Sequence, residues 1–183
     1  MIEKQISGCS SEELLNFLLS RRSIRRFRPD PIPLDIIKKI INVARFAPSA
    51  RNSQPWIFII VNNDNVKEKL ASLRPRAETL LNAPMAIVVA CNRDEDPVFY
   101  QQSCSNAIMY IMLAAHALGL GSVWLGIGRL EEAEGIQKIL ELPLKYIPIA
   151  IIAIGYPAEK PEPRPRKELK EIAFLNSYGN MLD

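Results

Sequence analysis

Two stretches of this chain, Pro84–Cys91 and Tyr146–Tyr156, are apolar almost without interruption, and in the second, isoleucines alternate with small residues or Pro148. A strand with one solvated face alternates apolar and polar residues, so continuous apolar strands require a sheet covered on both faces. The other segments supply the cover. Ile36, Ile37, Ile40, Ile41 and Ala44 recur at helical spacing after Leu34. Ser105–Leu118 reads as a helix buried on all sides, and Glu131–Leu142 as an amphipathic one. Trp56–Asn62 is β-branched and aromatic and is bounded by Pro55 and Asn62-Asn63-Asp64, which predicts a further strand. Ser122–Leu125, after the Gly119/Gly121 turn, predicts a short one. With 183 residues, 48% of them hydrophobic, the chain can bury such a core as one domain over 1–183. The expected class is α+β, a three-layer α/β/α sandwich with a central mixed sheet of four or five strands flanked by helices. Its core runs over about 11–157, and residues 158–183 form an extended C-terminal arm.

Local signals fill in the rest. Ser10-Ser11-Glu12-Glu13 has the form of a capping box, opening a helix to about Leu19 with Leu14, Leu15, Leu18 and Leu19 on one face. Arg21–Phe27 is extended or irregular, and Pro29, Pro31 and Pro33 forbid regular helix after it. Pro48 stops the helix that starts near Leu34. A charged helix covers roughly Val66–Ser72, and Leu73–Asn82 carries no clear signal. Pro157, Pro161, Pro163 and Pro165 make the arm stiff, reaching about 3 Å per residue. Lys167–Phe174 reads as a short terminal helix. Ala107–Gly128 is apolar and long enough to span a bilayer, but His116, Gly119 and Gly121 interrupt it, and no membrane role is expected.

Several function classes are excluded by what the chain lacks. Its net charge is only +3, with the basic excess in two runs, Arg21–Arg28 and Arg164–Lys170, and no nucleic-acid recognition motif accompanies them. Neither a GxGxxG after a strand nor a P-loop is present. One histidine, His116, lies within an apolar helix and reads as a satisfied core residue, which argues against a Ser-His-Asp hydrolase or a His-ligated zinc site. The three cysteines, Cys9, Cys91 and Cys104, have no metal-ligand spacing, and Cys91 and Cys104 read as buried small hydrophobes. An odd count and no secretory pattern at the N-terminus point to a reducing, cytoplasmic compartment. The acidic groups Asp94, Glu95, Asp96, Glu131 and Glu132 read as solvated. No catalytic side chain and no metal ligand emerges, which points to chemistry carried by a bound cofactor.

Two strings fit such a cofactor. Arg21-Arg22-Ser23-Ile24-Arg25 offers fixed positive charge beside a hydroxyl, and guanidinium binds phosphate through charge-assisted, often bidentate bonds. Asn52-Ser53-Gln54-Pro55-Trp56 offers side-chain amides that both donate and accept. A ligand that is both a polar heterocycle and a phosphate ester suits the pair, and flavin mononucleotide (FMN) is one.

These strings stand in a larger ordered set: Arg21-Arg22-Ser23-x-Arg25-x-Phe27, Ala47-Pro48-Ser49-Ala50-x-Asn52-Ser53-Gln54-Pro55-Trp56, Ala83-Pro84-x-Ala86, Leu113–Trp124, Ile154-Gly155-Tyr156-Pro157 and Arg164-Pro165-Arg166-Lys167. The set resembles the nitroreductase family of FMN flavoproteins and spans about residues 20 to 170. The resemblance implies an interlocked homodimer with FMN at the interface, the C-terminal arm crossing to the partner, NADH or NADPH as co-substrate, and ping-pong reduction of a small acceptor such as a nitroaromatic or quinone. It implies that Arg21, Arg22, Ser23 and Arg25 touch the flavin phosphate, ribityl chain and ring edge, with Arg22 acting through its backbone. Arg166, with Arg164 and Lys167 as weaker candidates, would join them at the phosphate. Pro48, Ser49, Ala50, Asn52 and Gln54 would reach the flavin from the partner subunit. Trp124, Leu125, Gly126 and Ile127 would lie against the ring, with the Gly126 backbone N–H bonded to flavin N5.

The chain departs from the family pattern at Met109 and Tyr110, where relatives often carry Gln-Asn, at Ser103, where many carry an acid, and at Ala50, where many carry Ser or Gly. Arg76 is a candidate for the flavin pyrimidine. Two other readings remain open at this point: a related activity such as dehalogenation or flavin cleavage, and a non-catalytic flavin-binding protein. The short stretch between Asn92 and Gln101 offers no room for the lid that the former usually needs.

Overall fold

The computed structural model describes residues 8–75 and 77–182. Four strands form its centre: β1 (Trp56–Val61), β2 (Met85–Asn92), β3 (Gly121–Gly126) and β4 (Tyr146–Gly155). Their order across the sheet is β1-β2-β4-β3. Every residue of β2 is buried, and β4 is buried along its second half. The period-two geometry of a strand splits these residues between two cores. Ile87, Val89 and Cys91 of β2, with Ile152 and Ile154 of β4, pack with Ile37 and Ile40 of α2 (Leu34–Ala44) and Ile108 and Ile111 of α5 (Tyr100–Ala117). Ala86, Val88 and Ile151 pack on the other face with Leu70 of α3 (Asp64–Ser72), Leu80 of α4 (Glu78–Leu81) and Ile136 of α6 (Leu130–Ile139). The result is the three-layer α+β arrangement expected.

The sheet direction differs from expectation. All three strand pairings are antiparallel, with Ile87 opposite Ile152 and Trp124 opposite Ile152 on its other side. Among the described residues the parallel contribution is an isolated bridge between Ser23 and Ser122. Continuous apolar strands report a helix layer on each face, and antiparallel strands meet that condition equally well. Pro148 is accommodated beside a register shift at Val89/Ala90, where the ladder is interrupted and a missing N–H is tolerated.

The helices begin and end as their sequences dictate. In α1 (Ser11–Ser20), the Ser10 hydroxyl accepts from Glu13 N–H at 3.2 Å and the Glu13 carboxylate accepts from Ser10 N–H at 2.6 Å. Such a cap contributes about 1 kcal/mol. No residue of α1 is buried, and Leu15, Leu18 and Leu19 are exposed. The second helix ends at Ala44, before Pro48, because the pyrrolidine ring disfavours helical backbone just ahead of it. A short terminal helix, α7, covers Leu169–Ile172. No helix among the described residues is long and apolar enough to cross a membrane. Cys91 and Cys104 are buried, as expected, but they are also joined in a disulfide between β2 and α5, with 6.2 Å between their Cα atoms. Sequence spacing could not show this, because the fold alone brings the two together.

Gly121 marks where the Arg21–Phe27 segment docks on β3. A Cβ at this position would lie 2.7 Å from Ile24 Cβ, closer than packed atoms tolerate. Gly121→Ala is therefore expected to lower stability by about 1–3 kcal/mol in urea unfolding. A loss below about 0.5 kcal/mol, within ordinary surface variation, would show that Ile24 is not held tightly there.

Candidate functional site

β3 lies at the edge of the sheet, with β4 as its strand partner among the described residues and Ser23 bridged to Ser122 on its outer side. In an antiparallel ladder, residues alternate between pairs that exchange hydrogen bonds and pairs that do not. Ile127 N–H donates to Ile149 O at 3.1 Å, which sets the parity of this edge. Ser122, Trp124 and Gly126 then turn their backbone groups away from β4. The Ser122 carbonyl confirms the parity by accepting from Ile24 N–H at 3.0 Å. Beyond Ser122, which the arginine segment covers, the outward-facing backbone continues over Trp124 and Gly126, about 7 Å along an extended strand, with Gly126 O accepting from Arg74 at 3.2 Å. Gly126 is exposed, and a Cβ there would meet the Trp124 indole, with Nε1 at 3.6 Å and Cδ1 at 3.9 Å, ordinary contacts. Internal packing does not demand glycine at this position, so the missing side chain serves to leave the edge open.

At the start of that edge, Arg21, Arg22, Ser23 and Arg25 line one cavity of about 210 Å³ with Arg164 and Arg166 from the arm. Segments some 140 residues apart in sequence meet because the arm starts against the chain's own arginine segment. Ala158 N–H donates to Arg26 O at 2.9 Å, and Arg28 N–H donates to Tyr156 O at 2.9 Å. The Glu159 carboxylate accepts from Arg25 and Arg26 N–H at 2.5 and 3.1 Å. The side chains play unequal parts. Arg22 donates to Leu19 O at 2.6 Å and Arg21 O at 2.9 Å, closing the last turn of α1. Arg21 is half-buried, and its Nη1 is buried without a hydrogen-bond partner among the described residues. Burial, then Arg22 and Arg166, hold its pKa below the usual arginine value. A buried guanidinium donor among like charges is an unmet demand for an anion. Glu162 also lines the cavity, but nothing shows it bonded to Arg21.

The amide-bearing segment has a different construction. Arg51, Asn52 and Gln54 have φ of 52°, 56° and 48°, left-handed backbone at three non-glycine residues in four positions. Each such residue costs on the order of 1 kcal/mol. The surroundings hold the shape: Asn106 of α5 donates to Pro48 O at 3.0 Å, Ser49 Oγ accepts from Gln54 N–H at 3.0 Å, and Ser103 Oγ accepts from Ala50 N–H at 3.4 Å. Ala50 O in turn accepts from Ser53 N–H at 3.0 Å, so both backbone groups of Ala50 are used inside the chain. Asn52 and Gln54 are exposed, while Ser53 Oγ is buried without a partner among the described residues. None of residues 48–54 lines the arginine cavity, and neither do Trp124, Leu125 or Gly126. Arg76 lies outside the described residues.

Two acidic groups expected in solvent are buried. Asp96 is fully buried, accepting from Phe99 N–H at 2.9 Å and Ser103 Oγ at 3.1 Å, so it stands behind the Ser103–Ala50 contact. Glu132 is buried against the Arg74 guanidinium at 3.0 Å. Both sit in loop or cap stretches that look polar in sequence, and their partners are supplied by the fold. His116 is also not a core residue. It is half-buried, stacked on Phe17 with ring centroids 4.9 Å apart, and 2.7 Å from Ser20 Oγ. It lines a second cavity with Arg21 and Arg22. Burial first, then the fields of Arg21 and Arg22, lower its pKa, against a raising contribution from the Phe17 backbone. Glu159, Asp96 and His116 carry no local sequence pattern for these places, since each acts through a contact that the fold supplies.

The Nitroreductase family profile matches residues 18–73 and 71–156. A Methanothermobacter thermautotrophicus protein named "Putative NADH dehydrogenase/NAD(P)H nitroreductase" is 40% identical over 158 residues, covering 85% of this chain and 83% of its own length. An FMN-dependent nitroreductase structure from Clostridium difficile superposes with a TM-score of 0.82 at 31% identity, over 90% of this chain and 99% of that one. A structure from Desulfovibrio desulfuricans, solved in complex with FMN, gives 0.80 at 28% identity, over 92% of this chain and 99% of that one. The chain belongs to the nitroreductase family.

His116 is the single histidine of the chain, so its titration can be followed without ambiguity by NMR. Its midpoint in the ligand-free protein is expected below 6.5, and to rise when inorganic phosphate is added and offsets the arginine field. The unfolded chain then takes up this proton before the folded one. The stability this group leaves intact above pH 6.5 declines as pH falls toward the lower folded value. A midpoint at or above 6.5 would contradict the placement of His116 beside the arginines.

Proposed function

We propose that this protein is an FMN-dependent oxidoreductase that takes electrons from NADH or NADPH and passes them to a small acceptor, a nitroaromatic, a quinone or a similar compound. The observation that carries this reading is the partnerless Nη1 of Arg21, buried in a cavity that gathers four further arginines and the Ser23 hydroxyl. A phosphate monoester fits that donor set, since guanidinium groups match its oxygens in pairs and its charge relieves their mutual repulsion. The relatives' names support the nicotinamide and flavin parts, one structure being FMN-dependent by name and another holding FMN.

When bound, FMN supplies the redox chemistry, accepting hydride from the nicotinamide and giving electrons to the acceptor in a second half-reaction. The chain's own residues bind and orient. Arg21, Ser23, Arg25, Arg164 and Arg166 hold the phosphate, with the half-buried Arg21 contributing most because its charge is least screened. Arg22 anchors α1 and takes part through its backbone. The edge of β3 from Trp124 to Gly126 would hold the ring end of the ligand, with the Gly126 N–H as the donor for flavin N5. Trp124 and Leu125 border the same edge. No acid or base from the protein is required, because catalysis here rests on proximity and preorganised donors.

The remaining contacts come from a second copy. Exposed apolar side chains on α1 (Leu15, Leu18, Leu19), on α5 (Met109, Tyr110) and on the tail (Leu169, Ile172, Tyr178) give a large surface for such an interface. The segment Pro48, Ser49, Ala50, Asn52 and Gln54 is held in strained backbone with its amides outward, as a ligand contact delivered to the partner requires. Ala50 acts there as a scaffold, and Asn52 and Gln54 carry the polar contacts.

Arg21→Ala is expected to weaken FMN binding about 10- to 100-fold, the loss that follows from removing a charge-assisted hydrogen bond. Fluorescence quenching during FMN titration measures it. Unchanged affinity in a folded variant would overturn the assignment of the arginine cavity to the phosphate.

A further inference from the structure

Arg74 lies in the stretch after α3 whose role the sequence does not reveal. Its side chain is 12% exposed and that of Glu132 is 5% exposed, and Arg74 Nη1 and Glu132 Oε1 form an ion pair at 3.0 Å whose geometry is not that of a hydrogen bond, so Glu132 acts on Arg74 through charge. The same guanidinium donates through Nη2 to Gly126 O at 3.2 Å. Gly126 is where β3 ends, and its carbonyl points off the free edge on the same side as its N–H. Two more contacts lock the loop that carries Arg74. Arg129 donates to Leu73 O at 3.0 Å, and Gly135 of α6 lies so close that an added Cβ would be 2.8 Å from Leu73.

A buried ion pair is weak evidence for stability, because desolvation offsets much of the attraction. This pair does something more specific. One face of the guanidinium is neutralised by Glu132, and the other grips a backbone carbonyl at an exposed glycine with no side chain to hold it. Without the grip, the residue is fixed by its chain neighbours alone. We propose that Arg74, itself oriented by Glu132, is a positioning residue that sets the orientation of the Gly126 backbone and so the aim of its N–H. The inference rests on the proposed role of that N–H at flavin N5. N5 is an acceptor in the oxidised ring and carries hydrogen in the reduced one, so a donor aimed at it meets the two states differently, and Arg74 controls how strongly the site discriminates between them, while leaving phosphate binding to the distant arginine cavity.

Two variants test this. Arg74→Lys keeps a charge opposite Glu132 but replaces the two-pronged fork with a point charge. The double variant R74M/E132M removes both charges, so that neither is left buried alone. Both are expected to bind oxidised FMN within about threefold of wild type, since the arginine cavity is untouched. Both are expected to change the ratio of affinities for oxidised and reduced FMN about tenfold, which for a two-electron couple appears as a midpoint potential shifted by about 30 mV. Amide hydrogen exchange at 125–128, measured with and without FMN, is expected to speed up in both. If Arg74→Lys folds and shows wild-type potential and wild-type exchange, the positioning role is overturned while the FMN reading stands. If the wild-type protein binds no FMN, both fall together. Should the double variant fail to fold, Arg74→Lys alone decides.

Discussion

Burial of β2 and β4 on both faces is the constraint from which the rest follows. Ile87, Val89, Ile152 and Ile154 fill one core and Ala86, Val88 and Ile151 the other. A ligand cannot approach the sheet through either helix layer without dismantling a core, and each large side chain lost from such a core costs about 2–5 kcal/mol. Polar chemistry is therefore confined to the margins. The margin at β3 is covered by the arginine segment at Ser122 and opens toward Gly126, which is exposed.

The arginine cavity shows how a fold can hold a charge arrangement that is unfavourable by itself. Arg21 is depressed by burial and by two guanidinium neighbours. The arrangement persists because neutral contacts hold the backbone: Ile24 against Gly121, Phe27 bridged to Pro157, and Glu159 accepting from two consecutive N–H groups. The apolar anchors and the backbone bonds fix where the charges sit, and an anion then gains from all of them at once. Preorganisation of this kind is what lets a phosphate site bind without a costly rearrangement.

Much of the fold is legible in the amino-acid order because it depends on local periodicity. The isoleucines of α2 and the apolar run of β2 announce their layers, and the Ser10–Glu13 box announces the start of α1. Strand direction is not legible, since an apolar run says only that both faces are covered. The arginine group was readable as two basic runs with a hydroxyl between charges, and those runs do meet. What could not be read were residues that matter through distant partners. Asp96 looks like a surface acid until Ser103 and Phe99 N–H are seen around it, and Arg74 and Glu132 look like ordinary loop and helix charges. The left-handed backbone at Arg51, Asn52 and Gln54 left no trace either, because no glycine marks it.

That strained segment clarifies why one copy of the chain is an incomplete unit in the proposed reading. Left-handed backbone at three non-glycine residues is retained only where the surroundings over-determine it, and here α5 does so through Asn106 and through Ser103 backed by Asp96. Asn52 and Gln54 are exposed, the Gln54 amide donating to Asn52 O of its own segment at 3.3 Å, while Ser53 Oγ is buried without a partner among the described residues. In the proposed reading a second chain would supply what is missing on both counts: a surface to satisfy Ser53, and a site toward which the amides are aimed. Helix α1 makes the same point from the apolar side. It is well capped and carries a leucine face, yet it buries none of its residues within its own chain. A helix of ten residues is marginal alone in water and draws its stability from packing. In the proposed reading its apolar face and the strained amide segment are two halves of one requirement, that the site be finished by a partner.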